Sequence, residues 1–205
     1  MVNAIIFDLG DVFLNKNKDA KVEAFAELGL TAWTDEHEKL EKKFETGKID
    51  SEGFLKGIQQ TIPNASLKEI KAAWNAGIDD FPLYRLEFLQ NLSHNYRLFL
   101  LSNTDPIHIE KFERDVEASF YGDFYQCFEK VYFSHEIGVR KPDAKAFNFI
   151  INKHDIQPKR TLVVDDKKFN TDAAEELGFQ VWNLKVGEED VVDLFDKKVI
   201  NLDEN

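Results

Sequence analysis

Cysteine is almost absent. Cys127 stands alone among 205 residues, so no disulfide can form within the chain and no cysteine-based zinc site exists. It reads as a small core residue. Positive charge is also in short supply, with 26 Lys and Arg against 38 Asp and Glu and a formal net charge of −12. Long-range repulsion then opposes a general nucleic-acid or anionic-membrane surface. An anionic substrate must instead meet a locally positive pocket or a metal ion. No apolar run reaches membrane-spanning length, and the opening MVNAIIFDLG has neither a basic lead nor a long apolar stretch. The expected location is therefore cytoplasmic. A glycine-rich phosphate loop of the GxxxxGK[ST] type is missing, which argues against nucleotide hydrolysis by that route. The histidines, at 37, 94, 108, 135 and 154, show no metal-ligand spacing and read as surface or packing residues.

What is present is a rich apolar complement, 43% of residues with 18 phenylalanines, enough for one sizeable core. Four short runs read as buried strands: AIIF before Asp8, LFLL before Ser102, TLVV before Asp165, and VWNL near residue 182. Helical patterns lie between the later ones. PLYRLEFLQNL places leucines at 83, 86, 89 and 92, DAKAFNFIINKH puts Phe147, Ile150 and Ile151 on one face, and NTDAAEELG closes on Gly178. Strands alternating with helices define an α/β protein with a doubly wound parallel sheet covered on both faces.

The first crossover is far too long for one helix and its loops. Within it KVEAFAELG, EKLEKKFETG, SEGFLKGIQQ and SLKEIKAAW read as short amphipathic helices, the last opened by a capping box of Ser66 and Glu69. The expected organisation is a core of residues 1–14 and 81–205 with a helical-bundle insertion, 15–80, after the first strand. Trp33 and Trp74 fall in that insertion, either packing it or lining an entrance.

Ligands of open α/β sheets bind beyond the carboxyl ends of the strands. Three predicted strands end there in polar residues: Asp8, the SNT at 102–104, and the pair Asp165 and Asp166. Each alone is more often a turn or cap. Together on one sheet edge they form a constellation, to which GVRKPDAKAF adds Arg140 and Lys141. Carboxylates from different strands can hold Mg²⁺. A carboxylate can also attack phosphorus and form an acyl phosphate, provided that cations and donors such as Lys141, Ser102 and Asn103 neutralise the phosphoryl charge.

FDLGDV, LLSNT, RKPDAKAF and VVDDKKFNTDAAEELG, in this order, resemble the four motifs of the haloacid dehalogenase superfamily. The chain is most similar to its phosphatase branch with a helical cap, among the α-D-glucose-1-phosphate phosphatases and β-phosphoglucomutase-related proteins. The resemblance implies a Rossmann-like core and a Mg²⁺-dependent phosphoric monoester hydrolase. It makes Asp8 the nucleophile and a metal ligand, with the Gly10 backbone carbonyl and Asp166 as further ligands and Asp165 supporting them from behind. Ser102 and Lys141 would bind the phosphoryl group with Asn103 beside them, and Asn170 would order the loop after the fourth motif. Asp172 falls on a helix surface. The implied partner is a small phosphorylated metabolite, with no nucleic acid and no membrane, bound by a monomer or weak homodimer.

One departure stands out. Most phosphatases of the superfamily carry a second aspartate two residues after the nucleophile as general acid and base, and here that position is Gly10. Asp11, one position further, reads as a loop or capping residue, with a displaced acid as its other reading. The expected consequence is a steep dependence of rate on leaving-group acidity. Other readings are a catalytically weak relative acting as a binding or regulatory module, a phosphomutase, or a haloacid dehalogenase, whose fourth motif usually lacks paired acids.

Overall fold

The computed structural model describes residues 2–197. The predicted C-terminal end of the core, 198–205, lies outside them. Five parallel strands form one sheet in the order β3-β2-β1-β4-β5: β1 (Ala4–Phe7), β2 (Arg97–Ser102), β3 (Lys130–Phe133), β4 (Thr161–Asp165) and β5 (Gln180–Asn183). Four are the runs read from the sequence. The fifth, β3, was not expected. It is an edge strand whose first residues, Lys130 and Val131, are only partly covered, so it lacks the continuous apolar signature of a strand buried on both sides.

Alternation along β1 divides the core. Ile5 and Phe7, with Leu98, Leu100 and Val164, face one apolar cluster. Ala4 and Ile6, with Phe99, Leu101 and Val163, face the other. The first face is covered by α5 (Leu83–Ser93), α6 (Pro106–Asp115) and α7 (Ala118–Gln126). It receives Leu86, Leu89, Phe112 and Phe124. The second is covered by α9 (Ala144–His154) and α10 (Lys168–Glu176), through Phe147, Ile150 and Ala174. A short helix, α8 (Ser134–Ile137), follows β3 and ends on Gly138, whose positive φ of 74° closes the turn. Cys127 is half-buried at the end of α7. No described helix is long and apolar enough to cross a membrane.

Because the chain runs outward from β1 to β3 and then returns to β4, helices leave β1 and β4 on opposite faces. That reversal opens a crevice at their carboxyl ends, where Asp8 and Asp165 stand level. Phe7 pairs with Val164, and Asp8 N–H donates to the Val164 carbonyl at 2.9 Å.

Four helices fill the long first crossover: α1 (Lys18–Glu27), α2 (Asp35–Phe44), α3 (Ser51–Gln59) and α4 (Leu67–Asn75). The Ser66–Glu69 capping box is formed. These helices bury their own apolar cluster, centred on Phe44, Phe54, Ile58, Ile70 and Trp74. Two antiparallel linkers join the bundle to the sheet. Asn15 N–H donates to the Asp80 carbonyl at 2.9 Å, Asp79 N–H to the Asn15 carbonyl at 3.0 Å, and Lys16 bridges to Ile78.

Arg85 of α5 pins the base of these linkers. Its guanidinium donates to the Phe13 carbonyl at 3.0 Å and Asn15 Oδ1 at 2.7 Å, and it pairs with Asp190 at 2.8 Å. Removing one side of a buried, hydrogen-bonded ion pair costs about 3–5 kcal/mol. Arg85→Met should therefore lower urea stability by about 3 kcal/mol. A loss under about 0.5 kcal/mol, the range of an ordinary surface substitution, would show that the linker base is not held this way.

Candidate active site

Lys141 is the centre of the site. The loop before α9 carries it, and a reciprocal pair of bonds fixes its backbone: Lys141 N–H donates to Asn103 Oδ1 at 2.9 Å, and Asn103 Nδ2 donates to the Lys141 carbonyl at 2.8 Å. The side-chain amide of Asn103 is thus engaged in placing Lys141. The lysine side chain, 2% exposed, then runs under the sheet edge. Its ammonium lies 3.1 Å from Asp8 Oδ1 and 2.5 Å from Asp165 Oδ2. Burial alone would push this amine down, but the charges of Asp165 and Asp8 outweigh it and hold the amine above its ordinary value.

Asp165 is fully buried and fully engaged. Besides Lys141, it accepts the Lys167 N–H at 2.8 Å and Asn170 Nδ2 at 3.0 Å. Asn170 therefore orders the loop after β4, at the start of α10. Asp166 has Lys167 Nζ as its side-chain partner. The carboxylate oxygens of Asp8, Asp165 and Asp166 converge within 4.8 Å of one another. Burial and the charge of Asp8 push both Asp165 and Asp166 up, against the opposing pull of Lys141 and Lys167. Asp8 Oδ1 is buried, and although the Lys141 ammonium is close, it accepts no well-aligned hydrogen bond. Hard oxygen donors, crowded negative charge and one buried oxygen in want of a partner suit a divalent cation such as Mg²⁺.

Above this cluster a cavity of about 280 Å³ separates the sheet edge from the helical bundle. Leu9, Gly10, Ser102 and Asn103 form its floor, and Lys21, Glu41, Glu45 and Trp74 its roof. Ser102 is buried at the tip of β2, and among the described residues its hydroxyl has no hydrogen-bond partner. Asp11 turns aside: with a φ of 59°, its Oδ1 accepts the Lys16 N–H at 3.0 Å and its Oδ2 faces Lys18 at 3.7 Å. Asp172 pairs with Lys168 on the surface of α10.

The sequence reading named Trp33 and Trp74 as packing the insertion or lining an entrance, and it did not name the other residues of the roof. Trp74 is buried in the bundle and also meets the cavity. Its indole donates to Asp105 at 3.2 Å. His108 stacks on its ring at 4.8 Å, pairs through Nδ1 with Asp105 at 2.9 Å, and lines the same cavity. Lys21 lies 3.7 Å over the Trp74 ring. Glu45, at the end of α2, faces Arg140 beside Lys141 at 2.8 Å. No spacing signals the contacts of Trp74 with Asp105 and His108 or of Glu45 with Arg140, because each joins the inserted bundle to the core.

The chain belongs to the haloacid dehalogenase-like hydrolase family, which matches residues 2–178. It is 30% identical over 197 residues to a D-ribitol-5-phosphate phosphatase of Bacteroides thetaiotaomicron, covering 91% of this chain and 94% of that one. A family enzyme of the same organism, solved with magnesium and inorganic phosphate, superposes with a TM-score of 0.82 at 31% identity, over 92% of this chain and 97% of that one. A hydrolase of this kind from Porphyromonas gingivalis gives 0.79 at 26%, over 92% and 94%.

Burial raises the Glu45 carboxyl from its ordinary 4.5 to about 7, against the pull of Arg140. The native state therefore binds this proton more tightly than the unfolded chain. The stability it confers is complete below pH 4.5 and lost as pH rises through 7. Relative to Glu45→Gln, which stays neutral, the wild type should lose on the order of 3 kcal/mol across that interval. Denaturant unfolding at several pH values measures it, and parallel curves would refute the assignment.

Proposed function

We propose that this chain is a Mg²⁺-dependent phosphatase that hydrolyses a small phosphate ester, a sugar or polyol phosphate, through an aspartyl phosphate on Asp8. The observation that carries the reading is the convergence of Asp8, Asp165 and Asp166 around a buried lysine, next to the unpartnered Ser102 hydroxyl. The similarity to a D-ribitol-5-phosphate phosphatase supports a polyol or sugar phosphate as the ester. The solved relative with magnesium and phosphate supports the metal.

Asp8, the Gly10 carbonyl and Asp166 would hold the Mg²⁺ ion, which when bound neutralises phosphoryl oxygens as the nucleophile approaches. Lys167 must release Asp166 for this, and being partly exposed it is free to do so. Asp165 stays behind, held by Lys141 and Asn170. The ammonium of Lys141 and the hydroxyl of Ser102 receive the phosphoryl oxygens, and the Asn103 amide keeps Lys141 in place. Asp8 attacks phosphorus, the ester oxygen departs toward the cavity, and water then releases phosphate from Asp8. Residues 15–80 act as the cap, excluding water while the cavity is filled. Glu41, Glu45 and His108 present polar groups suited to a hydroxylated leaving group.

Phosphate release from ribitol 5-phosphate, hexose phosphates, nucleotides and pyrophosphate tests the reading. A polyol or sugar phosphate should be turned over with Mg²⁺, and Asp8→Asn should reduce the rate to background. Absence of turnover across the panel, or an active Asp8→Asn enzyme, would overturn it. Calorimetric titration with Mg²⁺ should show Asp166→Ala binding weakened by more than about tenfold, the loss that removing even a supporting partner of a metal ligand can bring. Unchanged binding would remove Asp166 from the metal site.

A further inference from the structure

Gly10 leaves the sheet edge without a side chain at the point where a leaving group departs, yet the space above it is filled. A Cβ placed on Gly10 would overlap Cε and Nζ of Lys16 and approach its Cδ to 3.2 Å. We propose that Lys16 is the proton donor to the leaving oxygen, a role that rests on the reading of Asp8 as nucleophile.

The geometry follows from in-line displacement. With Asp8 attacking from the strand tip, the ester oxygen leaves on the far side of phosphorus, into the cavity that Gly10, Lys16, Ser102 and Asn103 share. Other charged or titratable groups face that cavity from every surrounding element, and each has a partner. Lys18 faces Asp11 at 3.7 Å, and Lys21 lies over Trp74 at 3.7 Å. From α2, Glu41 accepts the Trp33 indole at 3.1 Å, and Glu45 faces Arg140 at 2.8 Å. His108 of α6 meets Asp105 at 2.9 Å and the Trp74 carbonyl at 3.1 Å. Lys16 differs. Its backbone is fixed by the N–H bond to Asp11 Oδ1 and the bridge to Ile78. Its ammonium has no hydrogen-bond or ion-pair partner among the described residues.

The step balances without a further reagent. As Asp8 bonds to phosphorus, the bond from phosphorus to the ester oxygen breaks and its electron pair stays on that oxygen. The oxygen takes a proton from the Lys16 ammonium and leaves as an alcohol. Water then attacks the aspartyl phosphate, the electron pair of the broken bond returns to the Asp8 carboxylate, and the water's proton restores Lys16. The net reaction is ester plus water giving alcohol plus phosphate. Lys16 stands on a linker between core and bundle, so movement of the bundle also moves the donor.

The experiment compares single-turnover rates for a series of aryl and alkyl phosphates against leaving-group acidity. Wild type should depend only shallowly on acidity, which reverses the expectation drawn from Gly10 alone. Lys16→Met should lose roughly 10²–10³-fold on alkyl phosphates, the span of a positioned general acid. On nitrophenyl phosphate, whose leaving group needs no proton, the same variant should lose less than about tenfold. Gly10→Ala keeps the lysine and the backbone carbonyl but displaces the ammonium. It should reproduce the steep dependence with unchanged urea stability, while Lys16→Arg, which keeps the charge but cannot give up its proton, should lose the alkyl rate as Lys16→Met does; an alkyl rate restored by Arg would overturn the proton transfer. Equal losses on aryl and alkyl esters in Lys16→Met, or a selective alkyl loss in Glu45→Gln instead, would overturn the proposal. Acid quenching during nitrophenyl phosphate turnover separates the two layers. Phosphate on Asp8 in Lys16→Met upholds the nucleophile whatever the slopes show, and its absence from wild type overturns both.

Discussion

One desolvated ammonium governs this site. Lys141 is enclosed between Asp8 and Asp165, at 3.1 and 2.5 Å, with almost no access to water. A buried cation is tolerated only when paired and hydrogen-bonded, and two carboxylates over-satisfy it. The surplus of negative charge is the useful product. It leaves Asp8 with an oxygen lacking a well-aligned donor and sets Asp166 where a dication would relieve the crowding. The strands bring the acids level, the Asn103 amide fixes the lysine backbone, and Asn170 holds Asp165. Each part of the core near the crevice serves that arrangement.

The inserted bundle supplies what the sheet cannot, a roof. It reaches the core through two linkers held by Arg85, through the Trp74 indole on Asp105, and through Glu45 against Arg140. All three are polar contacts around a small cavity, in contrast to the dry apolar clusters on either side. Apolar contacts join bundle and core as well: Ile107 of α6 packs into the bundle's own cluster, and His108 stacks on Trp74. The Phe44–Phe54–Trp74 contacts give the bundle an aromatic core of its own.

Local order was legible where buried apolar residues run together, as in β1, β2 and β4, and where Ser66 with Glu69 forms the expected box. Both edge strands are only partly buried; β5 was read from its VWNL run, whereas β3, which opens on the exposed Lys130, was not. The helices α6 and α7 were not read, although α6 opens on an Asp105 cap with Pro106 in its first turn and buries Ile109 and Phe112. The places of Asp8, Ser102, Lys141, Asp165 and Asp166 were legible because each ends a strand, follows one directly or precedes Pro142. Lys16 was not, since a flexible side chain folding back over Gly10 leaves no trace in spacing. Glu45 and His108 were invisible for a related reason, as was the seating of Trp74 on Asp105: these depend on how the bundle docks.

Everything turns on whether Asp8 takes the phosphoryl group. The most direct measurement is rapid acid quenching of the Mg²⁺-loaded enzyme during turnover of an aryl phosphate, followed by peptide mass analysis. The account predicts one phosphoryl group on the peptide containing Asp8, lost again as turnover completes and absent in Asp8→Asn. Turnover with no phosphorylated peptide at any quench time, or with the group on another residue, would contradict it.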